Sequence, residues 1–214
     1  LAPHQMHPMK LISQGKGNTD LISGYTSSSI GISEQVTLNV GVNAQVLTLN
    51  NSWTLEPRAG IKWQFSPKSS FALAYGLHSR MEKMDVYFVK TQGTGDRSVN
   101  KDLGFTRAHH VMLSYGFKIS DNMNMKIEPY FQQLYDVPVI SDSSYSVLNR
   151  RDFYVENALV NRGKGRNIGV DITLERYLNK GLYYMVTASI FDSKYYGGDR
   201  KWRNTLYNRN FIVN

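Results

Sequence analysis

Cysteine is absent from the 214 residues. That excludes a disulfide framework and any thiolate metal site. A run of about 18 apolar residues is absent too, so no transmembrane helix can be drawn. Strands escape that test. They cross a bilayer on alternate apolar residues and leave the average low; here the mean hydropathy is -0.39. No stretch carries a helical period, which removes helix bundles and βαβ folds. Proline is sparse, yet Pro57 and Pro129 both fall inside strand patterns and each follows a glutamate. Proline lacks the ladder N–H, so each reads as a bulge or local twist. The formal net charge is +8, but Lys and Arg are scattered and form no basic helix or aromatic RNA-binding motif, so no nucleic-acid partner is expected.

Alternation is what the sequence does have. Val36, Leu38, Val40, Val42, Ala44 and Val46 alternate with Thr37, Asn39, Gly41, Asn43 and Gln45. Leu55, Pro57, Ala59, Ile61, Trp63 and Phe65 do the same against Glu56, Arg58, Gly60, Lys62 and Gln64. Residues 71–78 repeat it, and further strands are expected near 20–32, 108–119, 122–135, 164–178, 181–192 and 204–213. This makes about nine strands of roughly 10 to 15 residues, where soluble strands average about 5 to 6 and a tilted bilayer crossing needs about 9 to 11.

The connections alternate as well. Short turns are expected at 33–35, 66–69, 120–122 and 178–181, with a tight turn at 50–52. Long loops are expected at 80–107, 136–163 and 193–203. Aromatics flank both kinds of end. Trp63, Phe65, Phe71, Phe117, Tyr177, Tyr183 and Tyr184 lie beside short turns; Trp53, Tyr87, Tyr135, Phe191, Tyr195 and Trp202 lie by long loops. Long strands, short turns on one side, long loops on the other and two aromatic girdles define an all-β, antiparallel up-and-down fold: about nine strands of a large transmembrane β-barrel. Residues 1–19 read as a loop or lead-in segment and 20–214 as the partial barrel. The lack of an initiator Met and the strand running to Asn214 fit an excised segment.

Small motifs do not carry chemistry. Gly15-Lys16-Gly17 and Arg162-Gly163-Lys164-Gly165-Arg166 lack the phosphate-loop spacing and the helix that must follow it. His4 and His7 are spaced as metal ligands could be, but lie near an end. His109 and His110 are adjacent in a strand and so point to opposite faces. Asp192 and Asp199 flank Gly197-Gly198, a loop whose glycines would supply positive φ, and are too few to converge on calcium. No nucleophile elbow, zinc-protease helix or paired catalytic carboxylates appear; no enzyme activity, metal or cofactor is expected.

The polar face is more informative. Asn39, Asn43, Glu56, Arg58, Lys62, Lys126, Glu128, Asp171 and Glu175 all project opposite the apolar band. In a soluble sandwich that face meets water; in a large barrel it lines the lumen. Tyr195, Asp199, Arg200 and Trp202 are the candidate residues of an extracellular loop, where binding residues on rigid scaffolds concentrate.

Several stretches resemble TonB-dependent outer-membrane receptors, those of Bacteroidetes above all. They are Asn50 to Gly60 (NNSWTLEPRAG), Tyr75 to Ser79, Asn100 to His110, Tyr130 to Pro138 and Asn161 to Asn214, which includes Gly169-Val170-Asp171-Ile172-Thr173-Leu174-Glu175. The resemblance covers most of the chain from about residue 20. It implies a barrel of about 22 strands, closed by an N-terminal plug, embedded in outer-membrane lipid and driven by an inner-membrane TonB complex that grips a short box near the N-terminus. It implies import of a siderophore, cobalamin or glycan. The plug, the box and an aromatic-terminated last strand have no counterpart in this sequence, so the segment reads as an interior slice of the barrel. The alternatives are a non-transporting surface barrel (an adhesin or structural protein), an outer-membrane enzyme and a soluble sandwich.

Overall fold

A computed structural model describes residues 11–91, 98–150, 154–179 and 181–214. The strands are β1 Leu21–Gly31, β2 Val36–Leu47, β3 Ser52–Ser66, β4 Ser69–Arg80, β5 Thr106–Ser120, β6 Met123–Val139, β7 Val160–Asn179, β8 Leu182–Tyr196, β9 Trp202–Asn204 and β10 Phe211–Val213. They form one antiparallel sheet in which β1 to β8 follow chain order, and β9 and β10 both pair with β8. The last two are one return strand interrupted by a turn at 205–210, so ten strands occupy nine lanes. A single helical turn, α1 Met84–Tyr87, lies in a loop and is too short to leave a period in the sequence.

Register explains why this sequence makes this sheet. Val36, Trp63, Phe71, Tyr115, Ile127, Ile172 and Ala188 pair in one unbroken row from β2 to β8. One position along, Ser70, Gly116, Lys126, Thr173 and Thr187 form a row on the other face. A slip by one residue would exchange the faces, so the alternation itself pins the pairing. The prolines mark gaps. The β3–β4 ladder ends at the Arg58–Gly76 pair, beside Pro57. The β5–β6 ladder is open between Met112–Tyr130 and Tyr115–Ile127, where Pro129 sits. No proline bulge forms at either place.

The connections differ from expectation at one end. The loops shrink to 81–105, 140–159 and 197–201, because β5 starts at Thr106, β6 and β8 run on to Val139 and Tyr196, and β7 begins at Val160 and runs for 20 residues. That length backs the end of β8: Asn167, Arg166, Gly165 and Lys164 pair with Ser193, Lys194, Tyr195 and Tyr196. The third connection is therefore a tight turn. Its left-handed residue is Arg200, at φ 62, and neither Gly197 nor Gly198 has positive φ. Gly198 is needed for close approach instead, since a Cβ there would collide with the Ile140 carbonyl.

The long loops pack on one another. Leu47, Val86, Tyr87, Val89, Leu103, Phe105, Val155 and Leu159 form a buried cluster above the strand ends. Asn100 ties it together, donating to the Asn157 carbonyl at 3.0 Å and accepting from the Leu159 amide at 2.8 Å. The lead-in joins as well, with the Ser13–Val89 bridge and the Lys90 amide donating to the Ile12 carbonyl at 2.9 Å.

Candidate functional site on the polar face

The nine polar candidates lie on one face. Asn43 opposes Glu56, Asn39 opposes Gly60, Gly41 opposes Arg58 and Thr37 opposes Lys62. Across the sheet, Lys126 opposes Thr173, Glu128 opposes Asp171 and Asn124 opposes Glu175. Two groups come together. Lys126 Nζ contacts Glu128 at 2.8 Å, offsetting the two like charges paired across β6 and β7. Asn43, Glu56 and Arg58 form the other. Asn39, Lys62 and Glu175 stand apart from both.

Glu56 is the anchor of that second group. It is 2% exposed and reaches into the gap where β3 and β4 have parted. Its carboxylate accepts from Asn43 Nδ2 at 3.1 Å, Gln45 Nε2 at 2.7 Å, Arg58 at 3.1 Å and the Ser79 amide at 3.1 Å. The Ser79 hydroxyl donates as well. A buried carboxylate must be paired to be tolerated, and this one has its acceptor sites filled. It is built to hold the wall, not to exchange a proton with a solute. Arg58 is half exposed and offers its remaining donors to the open side.

A chain of side chains continues the belt across the sheet. The His78 and His110 rings lie 4.7 Å apart. Thr205 donates to Ser193 at 3.0 Å, Ser193 to Asn167 at 2.7 Å and Asn167 to Gln132 at 2.5 Å, and Gln132 contacts His110 Nε2. Every donor points the same way. The chain ends on an imidazole nitrogen, which must keep its lone pair to accept. Sequence reasoning put His78 in a polar frame and weighed His110 only as a metal ligand; it named neither as lining, and did not single out Gln132, Asn167 or Ser193. The signal was the polar frame of each strand, but their neighbourhood exists only once the strands are in register. His109 faces the apolar side, as adjacency requires, and its ring stacks on Tyr135 at 5.2 Å.

Below the belt the polar face narrows to small residues. Gly41, Gly60, Ala74 and Gly76 floor a groove of about 550 Å³ whose rim carries Arg58, His78 and His110. A second hollow of about 330 Å³, near the short turns, is lined by Lys118, Lys126 and Glu175 among others. The arrangement can hold a polar surface by hydrogen bonds and let it approach the backbone. Among the described residues, no group of three or more His, Asp or Glu is placed to hold a metal ion. His4 and His7 lie outside the described residues.

The four loop candidates separate. Tyr195 is in β8, not in a loop, and is 5% exposed on the polar face. Trp202 begins β9 on the opposite face and is open to its surroundings. Asp199 and Arg200 are in the turn. Arg203 grips Asp199 with bonds of 2.9 and 2.5 Å, and these hold the Asp199 carboxyl below its ordinary range. The expected girdles change in the same way. Trp63 and Phe65 pack at 5.3 Å on the apolar side, whereas Tyr87 belongs to the loop core. Tyr177 accepts from Asn124 at 3.3 Å on the polar side.

No family model and no curated protein matches this sequence. Solved structures do match its fold. The FrpB iron transporter of Neisseria meningitidis (F3-3 variant) is 17% identical, with a TM-score of 0.59 over 85% of this chain and 27% of its own. The outer-membrane transporter YddB of Escherichia coli is 15% identical, with a TM-score of 0.65 over 83% of this chain and 25% of its own. A second FrpB variant (F5-1) is 15% identical, with a TM-score of 0.61, covering 91% of this chain and 30% of its own. The chain thus spans 25% to 30% of the length of these transporters. The fold is that of an outer-membrane β-barrel, and this chain is a run of its antiparallel strands.

Proposed function

We propose that this chain is a stretch of the barrel wall of a TonB-dependent receptor, of the Bacteroidetes type, which imports a scarce nutrient across the outer membrane by energy-coupled transport. The apolar face meets lipid. The polar face lines the lumen against a plug domain carried elsewhere in the full-length protein, and an inner-membrane TonB complex drives release. The substrate is a siderophore, cobalamin or a glycan; the iron transporters among its structural neighbours put ferric chelates first for testing. The observation that carries this reading is the polar belt from Gln45 to Thr205, hydrogen-bonded around Glu56 and again from His110 to Thr205 with the His78–His110 ring contact between, on one face of a sheet whose other face is largely apolar. A barrel that only displayed loops would not need an ordered polar lining with a groove beside it. The same lining argues against an enzyme, since its buried carboxylate is saturated.

Uptake by cells carrying the full-length receptor tests it, with labelled ferric chelates, cobalamin and oligosaccharides supplied in turn. One class should accumulate in receptor-bearing cells and fail to do so when the inner membrane is de-energised. Arg58→Gln with Lys126→Gln should cut uptake per receptor molecule, with the receptor level in the outer membrane measured alongside. Accumulation of none of the three, or accumulation indifferent to energisation, would sink the reading.

A further inference from the structure

On the apolar face, the rim at the long-loop end changes character. The last mostly apolar row there joins Val111, Phe131 and Ile168 and ends on Asp192 of β8. Two residues further along β7, Gln133, Arg166 and Lys194 pair in a row. Two further still, Lys164, Tyr196 and Trp202 pair in the next. These side chains point away from the lumen, because register puts them on the same face as Val170, Ile172 and Leu174.

Charge and aromatic geometry say what that rim meets. Lys194 is balanced by Asp192 at 3.1 Å, and Arg107, on the same face of β5, by Asp136 at 3.5 Å. Among the described residues, no carboxylate lies within ion-pair distance of Lys164 or Arg166. Lys164 leans over the Tyr196 ring at 5.9 Å and Arg166 over the Trp202 ring at 5.5 Å; the two rings are 5.4 Å apart. Tyr and Trp on an outward barrel face mark headgroup depth. At that depth a cation is tolerated, whereas at the bilayer midplane it costs about 2–4 kcal/mol. The short-turn end of the same strands is different: Phe117, Met125, Leu174 and Val186 form its row, with Arg176 in the row beyond.

We infer that the outward rim formed by Lys164, Arg166, Lys194, Tyr196 and Trp202 is a docking site for a net-anionic, phosphate-bearing lipid headgroup of the leaflet on the long-loop side. The phosphate supplies counter-charge to three clustered cations, Lys164, Arg166 and Lys194, which have Asp192 beside them, paired with Lys194 and acting on Arg166 at longer range. The two rings lie against the glycerol or sugar and the first methylenes. This follows from the barrel fold and does not depend on which solute is transported.

The test is lipid binding to the detergent-purified full-length receptor, followed by native mass spectrometry. The probes are phosphatidylglycerol, phosphatidylcholine and, separately, inorganic phosphate. Phosphatidylglycerol should bind in preference to phosphatidylcholine. Lys164→Gln with Arg166→Gln should weaken it about thirtyfold, roughly fivefold for each cation near the surface. Arg166→Lys should keep most of the affinity, and Lys68→Gln, which removes a cation at the other end of the sheet, should leave it unchanged. If the double variant folds poorly, Lys164→Gln alone should still cost about fivefold. Equal affinity for the two lipids, or an unchanged double variant, would overturn the proposal. Competition by inorganic phosphate as effective as by phosphatidylglycerol would overturn the lipid assignment.

Discussion

At the long-loop end apolar side chains are covered by protein; at the short-turn end they are not. Val86, Tyr87 and Val89 have no exposed surface at all, yet Trp63 is 49% exposed, Phe65 41% and Ile119 45%. Both sets obey the same drive to leave water. They differ in what they leave it for: a packed loop core in one case, hydrocarbon in the other. The first should follow the rules of a small soluble domain, where cavities are costly. The second should follow membrane rules, where charge is costly and volume matters little.

The largest break in that comparison comes from the loop core. Tyr87→Ala removes the largest buried side chain there and the hydroxyl that accepts from the Glu82 amide at 3.2 Å. A loss of about 3–5 kcal/mol is expected for such a truncation, enough to open so small a unit. Hydrogen exchange on the full-length protein should show residues 81–91 and 154–159 losing protection while β2 to β8 keep theirs. Uniform loss across the strands would show that loops and wall are a single cooperative unit. Next in size is a charge on the wall. Leu73→Arg, on the apolar face between Ile61 and Leu113, should cost about 2–4 kcal/mol in bilayer unfolding. Ala74→Arg, one residue along on the polar face, should cost far less, and equal costs would refute the assignment of faces.

How much of this was readable beforehand follows from the same contrast. The wall is periodic, so residues 36–46 alone declare which of their side chains share a face. The loop core has no period. Val86 and Leu103 lie far apart within one loop and Val155 comes from another, and nothing local marks them as partners. The lining was half legible: Glu56 and Asn43 could be placed on the polar face, but the belt through His78, His110 and Gln132 joins residues up to 54 positions apart and needs the register. Tyr195 was misplaced because Gly197-Gly198 looks like the middle of a loop. What moved it into the wall was the length of β7, a fact about the neighbouring strand.

A smaller effect should separate hydrogen bonding from packing in the loop core. Asn100 is 1% exposed and bridges 81–105 to 154–159 through Asn157 and Leu159. Asn100→Ala leaves the Leu159 amide and the Asn157 carbonyl without that partner, at a cost of about 1–3 kcal/mol. Proteolysis should then select residues 154–159 before 81–91. Simultaneous cleavage of both would mean that Asn100 adds nothing to the apolar contacts.

The subtlest test uses the one carboxylate that, among the described residues, the loop core buries. Glu82 is 6% exposed and lies within 3.4 Å of the Thr106 hydroxyl. Burial pushes its pKa above the ordinary carboxylate range, while the Arg80 and Arg150 charges pull it back only in part. The folded loop core therefore holds its proton at pH values where the unfolded chain has already lost it. Stability must then fall as pH rises, starting from the ordinary carboxylate range and levelling off above the raised folded value. Glu82→Gln keeps the shape and removes the titration, so the variant should gain on the wild type as pH rises through that window and show no slope of its own there. The wall supplies the internal control: exchange in β2 to β8, corrected for intrinsic rates at each pH, should not respond to this substitution. A wild-type loop core that grows more stable over the same window would mean that Arg80 and Arg150 outweigh burial, making Glu82 an ion-pair partner of the rim and not a buried acid.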